Sequence, residues 1–578
     1  MNARRHLKTT LLAALVCLCA LAAARAQNIT QSITLQPGWN SVYVEVQPTN
    51  DAANAVFAGL PIASAWTRAE RQSSVDYIQN ASEAVFNQAG WLRWFNPSRP
   101  EAFLNNLFSV QANHAYLIKT TNAAPVVWTL VGRPSLRQPQ WVPDSYNLRG
   151  LPVDSASPPT FLNFFRYSPA HFNSTNNQLE KIYHLTPSGQ WTQVASTDST
   201  KAGDAYWIYT RGASDYNGPL NAVLNVGDGL DYGDNLAELK VNLQNLSASP
   251  KTVTVQDMGT NKRLSYYAFD PAQGGQWPEL NSPITMIVGA RTNLTLRLAV
   301  RRQDVTTPNY ASMLKISDDT GTAFDVPVSA TKEMPTTGGS AFAGLWVGAV
   351  TLDAVSEPHS ADPNTPTAVK SQLSMRLIIH VDTTGQARLL KEVIQMWRNG
   401  TYTNDANGNQ VVDKPGQFVL LTDDSLIPMF DGAAVRDGVP VGRRISTVGY
   451  DFPSGNTNNF VNLSGTFAIG QSLTCTLTMP YDAPTNPFMH KYHPDHDNLN
   501  ARFDGPAVES YTTTRQIELD FAASPPSGPP TTEFGYNEMG GNYRETITGI
   551  HKNPIYVSGT FRLTRLSLVA ELNPSPTP

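Results

Sequence analysis

The sequence has almost no cysteine. Three occur in 578 residues, and two of them, Cys17 and Cys19, fall within the first 26. Without that stretch Cys475 stands alone, no intramolecular disulfide can form, and stability has to come from ordinary hydrophobic cores. Charge is also scarce: Asp, Glu, Lys and Arg make up 15 % of the chain, against roughly 25 % in an average soluble protein. No long apolar run follows residue 26, so the sequence offers no transmembrane helix beyond that point. A Gly-x-Ser-x-Gly elbow and a Gly-rich phosphate loop before a helix are both missing. Cys475 lies in an alternating strand pattern, residues 473–479, with no histidine beside it. The familiar signatures of nucleophilic and nucleotide chemistry are therefore absent.

What the chain does have is an address. Arg4, Arg5 and Lys8 precede an apolar run over residues 11–24, and Ala24-Arg25-Ala26 supplies the small-x-small pattern that signal peptidase reads. The run is too short to span a bilayer comfortably, so residues 1–26 read as a cleaved signal peptide. The mature chain is expected to be secreted, periplasmic or at the cell surface. Val16 and Leu18 precede the two leader cysteines, which argues against a lipid anchor, and the surroundings of Arg4-Arg5 are a poor match to a twin-arginine signal. Removing Arg4, Arg5, Lys8 and Arg25 leaves 38 basic against 47 acidic residues, a balance of −9. That balance argues against nucleic acid as a partner.

A mature chain of roughly 550 residues should divide into about three to five domains. Short alternating runs joined by Thr, Asn, Ser, Gly and Pro make the expected class mainly β. Residues 27–135 and 136–220 read as two copies of a small β-rich unit. Pro37-Gly38-Trp39-Asn40 and Ser145-Tyr146-Asn147-Leu148 open the copies, His114-Ala115-Tyr116-Leu117-Ile118 and Asp204-Ala205-Tyr206-Trp207-Ile208 close them, and each has a tryptophan strand between, at Trp91 and Trp191. A short helix is expected near residues 51–58 or 160–165. Residues 221–334 hold six or seven short strand patterns, about what an immunoglobulin-like sandwich needs. Residues 335–343 are a Gly-Ser-Thr linker. Residues 344–572 read as a larger antiparallel β-sandwich or barrel in which the opening Gly344-Leu345-Trp346 and the closing residues 558–563 are partners. Residues 573–578 read as a disordered tail.

Leu230-Asp231-Tyr232-Gly233, Asn242-Leu243-Gln244-Asn245 and Asp318-Asp319-Thr320-Gly321 together resemble the ASH-type immunoglobulin-like modules of exported bacterial proteins. The resemblance covers about a sixth of the chain, implies a spacer or a binding surface, and brings no catalytic residues. The Gly-x-Trp opening of the last domain with a late arginine is similar to lipocalins, in two positions only. As a whole the arrangement resembles large, uncharacterised exported β-proteins of environmental bacteria, which implies no particular activity.

The densest polar cluster is His490-Lys491-Tyr492-His493-Pro494-Asp495-His496-Asp497-Asn498. His490, His493, Asp495, His496 and Asp497 are donors suited to a structural metal ion, zinc through imidazole or calcium through oxygen. Pro494 forbids a regular helix there, and the bland alternative is a polar loop with Asp495 and Asp497 capping turns. Residues 405–413 space oxygen donors like half a calcium loop, but Gly408 is misplaced and Asn407-Gly408 reads better as a hairpin turn.

Eight of the eleven tryptophans precede residue 210, and exposed indoles suit the faces of sugar rings. Trp39 aligns with Tyr146 and Trp91 with Trp191, so core packing is expected of this matched set. Trp94 and Trp128 have no aromatic counterpart and remain the candidate ligand-binding indoles.

The leading expectation is an exported, non-catalytic multidomain β-protein that presents binding surfaces to a polysaccharide or a cell-surface protein. The alternative is a secreted polymer-degrading hydrolase with the C-terminal β domain as catalytic body and the N-terminal units as substrate binders. A third is a small-molecule-binding barrel with a structural ion in its His490 loop.

Overall fold

The computed structural model describes residues 27–572 except 69–89, 139, 226, 334–338, 431–433, 442, 448–458, 482, 484–485, 487–489, 492–507, 510 and 527. The leader and the tail lie outside the described residues. The chain divides into two compact units, Met1–Glu333 and Met334–Pro578, and both are mainly β, as the alternating patterns imply.

The first unit opens with two four-stranded sheets of identical topology. In one, Trp39–Val44 pairs with His114–Thr120, which pairs with Ile62–Arg68, which pairs with Trp91–Phe95. In the other, Ser145–Arg149, Tyr206–Thr210, Ile182–Leu185 and Trp191–Gln193 follow the same order of first, last, second and third strand. Small devices repeat with the strands. The residue before each opening strand's aromatic region turns through positive φ, Gly38 at 94° and Asp144 at 51°. Asn40 donates to the carbonyl of Gln36 at 2.9 Å and Asn147 to that of Val142 at 3.1 Å, each side chain bracing the loop before its strand. The Tyr116 hydroxyl accepts from the Gln111 N–H at 2.8 Å, and the Tyr206 hydroxyl from the Lys201 N–H at 3.1 Å. One short helix accompanies each copy, Ala53–Val56 and Phe161–Phe165, the second capped by Thr160.

Between Leu220 and Thr331 two sheets of four and five strands share one core that includes Tyr232, Val241, Val255, Leu298, Leu314 and Val326. This is the immunoglobulin-like sandwich, and it explains the motif residues. Leu230–Asp231 adds a short parallel strand to Ala323–Thr331. Tyr232 is buried beneath it, and Gly233 turns at φ 51°. The guanidinium of Arg302, wholly buried, donates to the carbonyls of Tyr232, Gly233, Leu236 and Thr331 at 2.8 to 3.2 Å. A buried charge tolerated in this way is saturated by oriented backbone dipoles. Asn245 plays a similar part at its strand end, donating to Ser249, Val288 and Gly289 carbonyls.

The second unit settles the choice between sandwich and barrel. Its main sheet runs from Phe460–Asn462 at one edge to Ser464–Gly465 at the other. Only Leu463 separates these two pieces, so both edges belong to one segment and the sheet closes on itself. The result is an eight-stranded antiparallel barrel in which every strand lies beside its neighbour in sequence. The opening strand Gly344–Ser356 and the closing strand Ile555–Ser567 are paired, Val350 facing Phe561, as the sequence suggests. Inward residues such as Trp346, Ile379, Leu463, Leu519, Tyr543 and Phe561 fill the interior. Near the end of the closing strand the Arg565 guanidinium lies 5.2 Å from the Trp346 ring centre while donating to the Ala341 carbonyl at 2.9 Å. In the excursion between residues 391 and 459, Thr401–Asn404 and Gln410–Lys414 form a hairpin. The Asp405 carboxylate accepts from the Asn407 and Asn409 N–H groups, which makes this segment a plain turn.

Candidate binding site

Strand parity decides which aromatic rings of the first unit meet solvent. In Ile62–Arg68, Trp66 and Arg68 point away from the core while Ala63, Ala65 and Thr67 are buried. Trp91 lies directly opposite Arg68 on the next strand. In the second sheet, Tyr183 faces Trp207 and Tyr209 faces Tyr146 across their ladders, so these rings share one face with Trp191. The other face carries Ile182, Tyr206 and Ile208 into a core with Phe161, Phe164 and Phe165.

The two sheets hold these rings around a cleft of about 390 Å³ lined by Arg68, Tyr146, Tyr183, Trp191 and Trp207. Trp207 stands at its centre, 6.2 Å from Trp91 and 6.1 Å from Trp191 between ring centres, at 76° and 63°. Tyr146 packs 6.0 Å from Tyr183 and 5.2 Å from Tyr209. The Arg68 guanidinium lies 5.5 Å from the Trp207 centre and donates to the Tyr146 carbonyl at 2.8 Å, a cation over an indole fixed by a backbone contact. Desolvation and the neighbouring Tyr183 hydroxyl push the Tyr146 phenol upward.

The two sheets are joined through the same faces that carry the rings. Tyr43 and Ala115 of the first sheet pack with Leu148 and Ala205 of the second. The Tyr43 N–H donates to the Gly203 carbonyl at 2.7 Å, and the Ala205 N–H to that of Ser41 at 3.1 Å. Gly150 lies flat against the Tyr43 ring, where a Cβ has no room. Trp39 donates its backbone N–H to Pro187 at 2.9 Å and covers Gly189.

The expected ligand residues fall elsewhere. Trp94 and Trp128 are 2 % and 1 % exposed and sit in the first core against Phe57, at 4.9 and 5.6 Å. The Trp94 indole N–H is taken by Asn54 at 2.7 Å. These two rings are core, and the matched rings Trp39, Tyr146, Trp91 and Trp191 are the half-exposed ones, the reverse of the expectation. Trp94 stands three residues beyond Trp91, so in a strand the two must face opposite ways. Of the His490 cluster, only the backbone of His490 is placed, in a two-residue strand against Val508-Glu509. His493, Asp495, His496 and Asp497 lie outside the described residues. Trp207, Tyr183 and Arg68 were not singled out by sequence. The signal for Trp207 is the run Tyr206 to Tyr209, where aromatic residues occupy both faces of one strand.

In the second unit Arg515 and Glu545 face the barrel interior as an ion pair, and the Tyr543 hydroxyl donates to Glu545 at 2.8 Å. Burial pushes the nearby Cys475 thiol up to about 11, so it stays protonated and unreactive at neutral pH.

No family model and no curated protein matches this sequence. Among solved structures, similarity is found to an ASH/PapD-like domain of human CEP192, with 8 % identity over 20 % of this chain and 87 % of that one, at a TM-score of 0.14. A chain of the CsuC–CsuE chaperone–tip adhesion subunit complex from Acinetobacter baumannii Csu pili has 14 % identity, covering 33 % of this chain and 85 % of its own, at 0.12. A Bacteroides ovatus protein of unknown function has 8 % identity over 57 % of this chain and 84 % of that one, at 0.14. Among the described residues no helix is long and apolar enough to cross a membrane.

Proposed function

We propose that this chain is an exported binding protein whose first unit grips a polysaccharide in the cleft around Trp207. The observation that carries the reading is the cleft's lining: two indoles, two phenols and one guanidinium, open to solvent beside the contact that joins the two duplicated sheets. Indole and phenol faces present flat apolar area with little conformational entropy to lose, and the Arg68 guanidinium beside them can donate directional hydrogen bonds. That combination fits a pyranose ring, apolar on its C–H face and polar at its edge. The size fits too. A pocket of about 390 Å³ takes a small rigid ring. The signal peptide expected from residues 1–26 supports the reading, since an exported chain would meet polysaccharides.

Screening the mature chain, residues 27–578, on a glycan array tests this. Binding to one or more polysaccharides is expected, and Trp191→Ala with Trp207→Ala should weaken it at least roughly tenfold, about 1.4 kcal/mol. Failure of the intact chain to bind any glycan, or equal binding by a folded double variant, contradicts the proposal.

A further inference from the structure

A second site lies elsewhere in the first unit. A half-open cavity of about 320 Å³ lies where strand Ile29–Leu35, the turn at residues 152–155, the loop at Ala202-Gly203 and the sandwich strands meet. Four ionisable groups with opposite needs line it: Glu45, Asp154, Lys315 and Asp325. Lys315 contacts Asp154 at 3.1 Å and stands directly opposite Asp325 across the ladder of Asn309–Asp318 with Ala323–Thr331. Among the described residues no ion pair joins Glu45 to a cation. Its backbone N–H is held by Gln31 at 2.9 Å, and its carboxylate, which accepts a hydrogen bond from the Gly203 backbone, lines the cavity. Three carboxylates share one ammonium.

Sign and size narrow the occupant. An excess of negative charge in a desolvated space disfavours anions. A cavity about ten times the roughly 30 Å³ of a liquid water is far larger than a bare cation fills. The amides of Gln31, Asn113 and Gln138 and the Tyr43 hydroxyl on the wall are held by one another and by neighbouring backbone, which presets a polar surface for the uncharged part of a molecule. We propose that this cavity binds a small organic molecule carrying a protonated amine, with Glu45 and Asp325 as its counter-charges.

The titration behaviour agrees. Burial, with repulsion from Asp325, pushes Glu45 up to about 7. Burial also raises Asp325, opposed by Lys315 and assisted by Asp154. The groups facing Glu45 are thus Asp154, Lys315, Asp325 and the Tyr43 phenol. An ammonium is held by the ionised carboxylates, so its affinity falls as pH drops through about 7.

Isothermal titration of the mature chain with ethanolamine and putrescine, against glucose and calcium chloride, tests the site. At about pH 8 at least one amine is expected to bind more tightly than glucose, weakening roughly tenfold or more by about pH 5.5. Glu45→Gln and Asp325→Asn should each reduce that binding about tenfold. Glu45→Gln removes a buried charge and is expected to fold; the pH profile of the unaltered chain needs no variant at all. Binding of neither amine above glucose, binding of calcium alone, a flat pH profile, or affinity unchanged in both folded variants overturns the proposal. The aromatic cleft is tested separately, because Glu45→Gln leaves its lining intact.

Discussion

At the residue scale, the buried polar groups show what each part of the fold depends on. Arg302 ties four carbonyls of the sandwich together with no exposure to water. Arg302→Ala is expected to cost at least about 3 kcal/mol, because the carbonyls lose their donor inside the core. Urea unfolding of the first unit measures it. His380 behaves as a buried neutral imidazole. Burial pushes it down from 6.5 to about 4, although its Nε2 lies 3.2 Å from the Val569 carbonyl. Because the folded value lies below the unfolded one, the native state resists protonation. The stabilising contribution is complete above about 6.5 and is lost as pH falls toward about 4. At most about 3 kcal/mol of barrel stability should disappear across that window. Urea midpoints of the second unit at pH 7 and pH 4.5 check this, and His380→Gln should flatten the difference.

At the element scale, closure of the barrel depends on close backbone approach. Gly541, in the strand Glu538–Thr548, faces the Asp520 carbonyl with no space for a Cβ, and Gly348 is in the same position against Arg562. Gly541→Ala is expected to destabilise the second unit by about 2 kcal/mol or more by forcing paired strands apart, visible as a lower thermal midpoint. Much of this architecture could be read from residues. The two short helices fall within the expected segments 51–58 and 160–165, and the first and last barrel strands meet because both alternate over long stretches. Closure itself was hidden. Phe460–Gly465 is too short and too interrupted at Leu463 to announce that one segment serves both sheet edges. The cleft was hidden for a different reason. Aligning Trp91 with Trp191 correctly identified equivalent positions, but equivalence says nothing of which face those positions occupy. Parity along the strand, Trp91 out and Trp94 in, carries that information, and it becomes decisive only once the strand bounds are known.

At the scale of the whole molecule, the cleft draws on both copies: Tyr146, Tyr183, Trp191 and Trp207 come from the second sheet and Arg68 from the first, and the two sheets are locked through Tyr43, Ala115, Leu148 and Ala205. Gly150→Ala should therefore disturb binding without touching the lining rings, since the added methyl meets Tyr43 at the lock. Lower glycan affinity with Trp191 and Trp207 unchanged is the expected result. Each unit has its own core, the first around the three β-modules and the second inside the barrel, so residues 27–333 are expected to keep glycan binding when produced alone. The most direct measurement is tryptophan fluorescence of the mature chain titrated with a soluble oligosaccharide from the array. The cleft predicts saturable quenching or a blue shift that Trp207→Ala abolishes, while an emission spectrum unmoved by any bound glycan, or a response undiminished in the variant, would contradict it.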